Sequence, residues 1–358
     1  MDELDAAGPR LVLSESQVAL AYRRLQRALP MASVHYATKC NPAEPVLRQL
    51  HGLGSGFETA SAREIDLLTA VGVHPRKIIF SAPVKSPKDI ARAHHVGVHR
   101  FVVDCAAEVE KVAAAAPGSS VFVRIAVDDE HSQWPLSRKF GAAPHEAPWL
   151  FSLASASGLS LEGLAFHVGS QSTHPPAWRD AVVLCGEIAA AAHRDGVRLR
   201  SLDVGGGFPV PYAGSAPSIA AIAAEISAGL RTWPYDIALI VEPGRYLVAQ
   251  AGTIQAHVIG LSTREDQRWV FLDVGAFNGL YEASPSGGGL TFRFHAPGLE
   301  DEPSQEFEVA GPTCDGDDVI GSGVRLPQGL EIGDIVEIES AGAYSLAYGS
   351  EFCGAEPL

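Results

Sequence analysis

The chain has 358 residues, more than one hydrophobic core usually serves, which predicts two domains. Hydrophobic residues make up 46% and charged residues only 19%, so a disordered chain is excluded. A net charge of −15 argues against nucleic acid or an anionic membrane as partner, and no apolar run approaches the roughly 20 residues of a membrane-spanning helix.

In chain order, "MDELDAAGPR" lacks the basic and apolar regions of a secretion signal. "SESQVALAYRRLQRAL" (14–29) reads as a helix, followed by the short β-rich run "VHYAT" (34–38). Seven more such runs follow: "GFET" (56–59), "IIFSA" (78–82), "RFVVD" (100–104), "VFVRIAV" (121–127), "LEGLAFHVG" (161–169), "SLDVGGG" (201–207) and "IALIVEPG" (237–244). Several are apolar throughout, as strands of a buried parallel sheet must be. Helices lie between them. "SAREIDLLTAVG" opens on Ser61 as cap with Glu64 three residues on, and stops at Gly72. "SPKDIARAHHVG" repeats the logic with Ser86, Pro87 and Gly97, and "SIAAIAAEISAGLRTW" (218–233) precedes the last strand. Eight strand–helix units predict an α/β fold whose N-terminal part is a (β/α)8 TIM-like barrel, with a doubly wound sheet as the alternative. From about Ile254 helix signals fade. "RWVFLDVG", "LTFRFHAPG", "QEFEVAGP" and "DIVEIESAGAY" alternate as in a C-terminal, mostly antiparallel β domain. The expected division is a barrel over 14–255 and a β domain over 256–358, with residues 1–13 available to add a strand.

Reactive groups of such barrels sit at the C-terminal strand ends. Here those ends carry Lys39, Glu58, Arg124, His167, Gly205-Gly206-Gly207 and Glu242-Pro243-Gly244-Arg245. A glycine triplet after a strand lets backbone N–H groups approach a phosphate; taken alone it also reads as a plain tight turn. Arg245 could supply the matching cation. Lys39, facing a phosphate cradle, becomes a Schiff-base candidate, and an aldehyde-bearing phosphate cofactor means pyridoxal 5′-phosphate. Glu242 would then keep the pyridine nitrogen protonated. His167 could stack on the ring, although in isolation it reads as a structural histidine. "GLGSG" (52–56) precedes a strand instead of following one, so it is no dinucleotide fingerprint. "AHHVGVH" (93–99) lacks metal-ligand spacing, and no metal is expected. Cys40, Cys105, Cys185, Cys314 and Cys353 form no CxxC pair and are odd in number, which predicts free thiols and a cytoplasmic protein.

The motifs "YATKCNP", "WPLSRKFGA", "HVGSQ", "DVGGGFP", "EPGRY", "GPTCDGDD" and "ESAGAY", in this order, resemble the pyridoxal-phosphate-dependent ornithine/lysine/diaminopimelate decarboxylase family of the alanine-racemase-like fold, closest to its ornithine branch. The resemblance implies a barrel plus β domain and a head-to-tail homodimer with active sites at the interface. It implies that Lys39 carries the cofactor, His167 stacks on its ring and Glu242 partners its nitrogen. Ser170, Gly205 to Gly207, Gly244, Arg245 and Tyr344 match the phosphate site, and Glu58 and Arg124 match supporting residues. Cys314, from the second subunit, resembles the acid that protonates the product carbon. Asp315 resembles the carboxylate that receives the distal amine; a helix or turn cap in "CDGDD" is the alternative. Tyr281 and Phe352 match pocket residues, and Lys139 and Asp318 match a pair across the dimer. The implied reaction is decarboxylation of a basic L-amino acid, ornithine to putrescine first and lysine second. Another diamino acid of specialised metabolism, amino-acid racemisation and an inactive regulatory homologue are the alternatives. Two departures stand out. Glu282 occupies a place where the resembled enzymes carry aspartate, and its extra methylene is expected to shorten the pocket. The tail "EFCGAEPL" departs from "FNGF", leaving Cys353 without an expected role.

Overall fold

The computed structural model describes residues 8–358; the start of the strand expected within 1–13 and most of the N-terminal stretch read for a secretion signal lie outside the described residues. The chain forms two compact units. One comprises Ala19–Pro209 and Ala216–Gly244, the other the residues up to Val18 with Val210–Ser215 and Arg245–Leu358.

The first unit is a closed barrel of eight parallel strands: Ala32–Ala37, Gly56–Thr59, Ile78–Phe80, Arg100–Val103, Ser120–Arg124, Ser160–Ala165, Ser201–Asp203 and Ala238–Val241. They pair in chain order, and the last closes on the first with Val241 beside Val34. Ile79, Val102, Phe122, Ala165 and Ile240, from five strands, form one buried cluster. Burying each of the larger ones contributes about 1.5–3 kcal/mol. Both faces of each strand are covered, which is why the strands read as apolar throughout. Helices between strands begin where their caps dictate. Ser61 Oγ accepts from Glu64 N at 3.3 Å and Ser86 Oγ from Asp89 N at 3.1 Å, opening Ala62–Ala70 and Pro87–His95. The Glu64 carboxylate reaches back one residue beyond the cap, to Ala60 N at 2.8 Å. A short antiparallel ribbon, Ser132–Trp134 with Ser170–Ser172, is too brief and polar to show in the sequence pattern.

The second unit is a seven-stranded sheet. Its centre is the long strand Gly252–Arg264, which pairs near its start with Arg10–Leu13 and Ile335–Glu339 and further on with Gln267–Leu272. A bulge between Val258 and Gly260 bends it where the pairing changes. Arg293–His295 lies beyond Ile335–Glu339. On the far side come Ser304–Ala310 and Val319–Pro327. All pairs are antiparallel except Gln267–Leu272 with Ser304–Ala310, which is parallel. Among the described residues no helix is long and apolar enough to cross a membrane, and no three potential ligands gather as a metal centre.

Candidate active site

In the barrel unit, the first strand ends in a single 3-10 turn, Thr38–Cys40, that lifts Lys39 out while Thr38 and Cys40 stay buried. The turn is braced by the loop after the eighth strand. Ala37 N donates to Pro243 O at 3.1 Å, and a methyl at Gly244 would crowd Cys40 Cβ at 2.9 Å. Lys39 Nζ lies 2.6 Å from Glu58 Oε2, on the neighbouring strand. Burial works against the charge on this amine, but the Glu58 carboxylate, together with Glu242 and Glu64, holds the pKa above its ordinary value.

Glu242 ends the eighth strand. Its carboxyl accepts from Ser81 Oγ at 2.8 Å and its backbone N donates to Gly205 O at 2.7 Å. Asp203, ending the seventh strand, accepts from Gly205 N at 2.9 Å. Its other oxygen meets no N–H or O–H donor among the described residues, save a proton shared with Glu242. Burial pushes both acids up, Asp203 to about 6 and Glu242, further burdened by Asp203 and Glu58, well above the usual carboxylate range. Each of the two therefore holds its proton more firmly than a free carboxyl does. His167 Nδ1 accepts from Gly169 N at 3.0 Å, which leaves the ring proton on Nε2. Burial, then Arg124 and Lys39, hold that ring neutral. Arg124 lies over the Phe140 ring at 5.4 Å, and Ser170 opens the short ribbon.

The glycine triplet has a structural cause. Gly205 and Gly207 have φ of 65° and 87°. A methyl at Gly205, Gly206 or Gly207 would overlap the carbonyl of Phe166, Glu242 or Gly169 in turn. Only glycine lets this loop lie so close to its neighbouring strand ends.

In the second unit, Arg245 is 4% exposed. It makes a bidentate pair with Glu282, both contacts 2.7 Å, donates to Tyr212 OH at 2.8 Å and lies 4.9 Å from the Tyr344 ring. The sequence places Glu282 in a substrate pocket; in the structure both its oxygens are held by Arg245. Tyr281 packs on Tyr348, and Phe352 on Phe277. Cys314 and Asp315 are exposed, and Asp315 Oδ1 caps its own turn by accepting from Asp317 N at 2.8 Å. Asp318 is buried and accepts from Ala276 N, Thr313 N and Thr313 Oγ1 inside its own chain. Lys139 Nζ stands over the Phe140 ring in the barrel unit.

Sequence reasoning misses Ser81, Asp203 and the charge of Glu64. Glu64 reads as a helix cap, yet burial and then Glu58 push its pKa up to about 7. The signal for Asp203 is its place, the last strand residue before a glycine turn. A pyridine aldehyde phosphate requires an amine, an acid that holds a proton for its ring nitrogen, and backbone amides for its anion. Lys39, the carboxyls of Glu242 and the buried Asp203, and the glycine loop fit those demands.

A family profile described as "Pyridoxal-dependent decarboxylase, pyridoxal binding domain" matches residues 15–249. The lysine/ornithine decarboxylase of Selenomonas ruminantium is 38% identical over 97% of this chain and 87% of its own length. Antizyme inhibitor 2 of Xenopus laevis is 34% identical over 94% of this chain and 77% of its own. Among solved structures, lysine/ornithine decarboxylase of Vibrio vulnificus complexed with cadaverine superposes with a TM-score of 0.90 at 32% identity, covering 99% of this chain and 94% of that one. The arginine decarboxylase of Paramecium bursaria Chlorella virus, bound to agmatine, gives a TM-score of 0.90 at 28% identity, covering 98% and 94%. The chain is thus an amino-acid decarboxylase that uses pyridoxal phosphate. The chain belongs to the pyridoxal-dependent ornithine/lysine decarboxylase family.

Proposed function

We propose that this chain removes CO₂ from a basic L-amino acid, ornithine before lysine, with Lys39 carrying the cofactor. The observation that carries the reading is the barrel mouth, where Lys39 Nζ lies 2.6 Å from Glu58 Oε2 and the carboxyls of the buried Asp203 and of Glu242 stand at neighbouring strand ends beside the glycine loop. Pyridoxal phosphate bound there would supply an aldehyde for the substrate amine and a ring that accepts the electron pair left by CO₂. Lys39 Nζ is the amine that holds and reclaims the cofactor. Glu242 presents its carboxyl proton to the ring nitrogen, and Asp203 beside it keeps that proton from leaving to water. His167 offers a neutral ring face. The amides of Gly205 to Gly207, with Ser170, Gly244, Arg245 and Tyr344, take the phosphate as the family resemblance implies. Asp315 receives the distal ammonium and Cys314 delivers a proton from Sγ to the product carbon. Both residues act in the site of a partner subunit, so the enzyme works as a homodimer. The carboxylate at Glu242, where a racemase of this fold would carry arginine, supports decarboxylation over racemisation. The presence of Lys39, Glu242 and Cys314 supports catalysis over a regulatory role. Five free thiols support a cytoplasmic location.

Two measurements test this. Borohydride reduction of the protein with pyridoxal phosphate should fix the cofactor on Lys39, read by peptide mass. Competition among ornithine, lysine and arginine should then rank kcat/KM with ornithine first. Fixation on another lysine would overturn the site, and arginine leading would overturn the substrate.

A further inference from the structure

Two cysteines that the reaction does not link lie together. Cys314 Sγ is 4.0 Å from Cys353 Sγ, across 39 residues of chain, and both are exposed. The closeness is built from both sides onto one segment. The Cys314 loop is held by Asp318, whose carboxylate accepts from Ala276 N at 2.7 Å and from Thr313 N at 2.9 Å. The tail that carries Cys353 is tied to the next two residues. Ser350 N donates to Phe277 O at 2.9 Å, the Phe352 ring lies 4.8 Å from that of Phe277, and Asn278 Nδ2 donates to Glu356 O at 2.9 Å. Cys353 itself has φ 57°, a left-handed conformation that costs a non-glycine residue on the order of 1 kcal/mol. That turn points its thiol at Cys314.

We propose that Cys314 and Cys353 form an intrachain disulfide when the enzyme meets a peroxide, a modification site that takes Cys314 out of service reversibly. Closing from van der Waals contact to a bond of about 2.05 Å draws together two exposed side chains, one of them on the tail turn. The thiolate of one cysteine attacks a peroxide oxygen; an S–O bond forms, the O–O bond breaks, and the departing hydroxide takes a proton as water. The second thiol then attacks that sulfur; an S–S bond forms and the sulfenic oxygen leaves as a second water. Two thiols lose two electrons and one hydrogen peroxide becomes two waters. The functional consequence rests on the reading of Cys314 as the proton donor, because a disulfide sulfur carries no proton to deliver. In a reducing compartment such a bond is transient, as a sensor requires.

The test treats the cofactor-loaded enzyme with a small excess of hydrogen peroxide and maps peptides without reduction. A peptide linking Cys314 to Cys353 and the loss of two thiols are expected. Activity should fall about a hundredfold, the usual worth of a placed general acid, and return with dithiothreitol. Cys353→Ser should give no link, and its loss of activity should resist dithiothreitol as Cys314 passes to the sulfinic acid. Cys105→Ser should behave as wild type. Cys314 found only as sulfinic acid in the wild-type map, or linked to another chain or to Cys105, overturns the proposal whether or not the variants fold. A full yield of the link with undiminished activity would leave the modification standing and remove Cys314 from proton delivery.

Discussion

Asp203 and Glu242 behave as one acid. Neither is expected as a pair from sequence, because 39 residues separate them and only the parallel pairing of the seventh strand with the eighth brings them together. Asp203 binds its proton more tightly folded than unfolded, so its contribution is full below pH 4 and is lost as pH rises through about 6. In the apoprotein, Asp203→Asn should abolish that loss, worth up to about 3 kcal/mol from a shift of this size. Urea unfolding at pH 4.5 and 7 measures it; parallel pH dependence in both proteins would show that the two acids do not share a proton. Arg245 and Glu282 give a second test. Glu282→Ala strands a buried guanidinium and should cost about 3–5 kcal/mol of stability. Inorganic phosphate in the buffer should recover part of it if Arg245 serves an anion. Glu282→Asp should change the ornithine-to-lysine ratio, and an unchanged ratio would take Glu282 out of the pocket. The residue type and place of Glu282 were legible in the sequence, but not its partner, since Arg245 lies 37 residues away.

At the scale of elements, the eight barrel strands were readable because strands buried on both faces are apolar without alternation. Their ends were not. The sixth and seventh run apolar or glycine-rich through residue 169 and residue 207, yet leave the ladder at Ala165 and Asp203. Those largely buried stretches beyond the ladder form the loops of the barrel mouth, so the overshoot falls on the residues that carry chemistry. In the sheet unit, alternation identified strands but not their direction, and the parallel pairing of Gln267–Leu272 with Ser304–Ala310 came only with the structure. The glycine loop yields the prediction proper to this scale. Gly206→Ala drives a methyl into the Glu242 carbonyl and must shift either the loop or the eighth strand. A backbone shift of about 1–3 kcal/mol should weaken cofactor binding about ten- to hundredfold, read by absorbance titration with pyridoxal phosphate. Unchanged affinity would mean that the loop does not hold the phosphate.

For the whole molecule, the sequence made the class readable through seven ordered motifs, and the family match covers the barrel. It did not show that Val210–Ser215, in the midst of the barrel sequence, belongs to the sheet unit. That segment brings Tyr212 to Arg245, a contact no pattern in the sequence announces. The proposed homodimer with shared sites gives a sharp expectation. Lys39→Ala should be inactive and Cys314→Ala about a hundredfold slower than wild type, yet their mixture should recover about a quarter of wild-type activity, because a random mixture is half heterodimer and each heterodimer has one intact site. No recovery after subunit exchange would place Lys39 and Cys314 in the same chain's site.

The central claim is that an amine at the end of the first barrel strand, with an acid that keeps its proton, turns pyridoxal phosphate to decarboxylation. The most direct measurement is mass spectrometry of the products from L-ornithine in D₂O with the cofactor-loaded enzyme. The account predicts putrescine with one deuterium on the carbon that lost CO₂, and no such product from Lys39→Ala. Ornithine returned whole, with its α-hydrogen exchanged for deuterium, would contradict it and place the chain among the racemases of this fold.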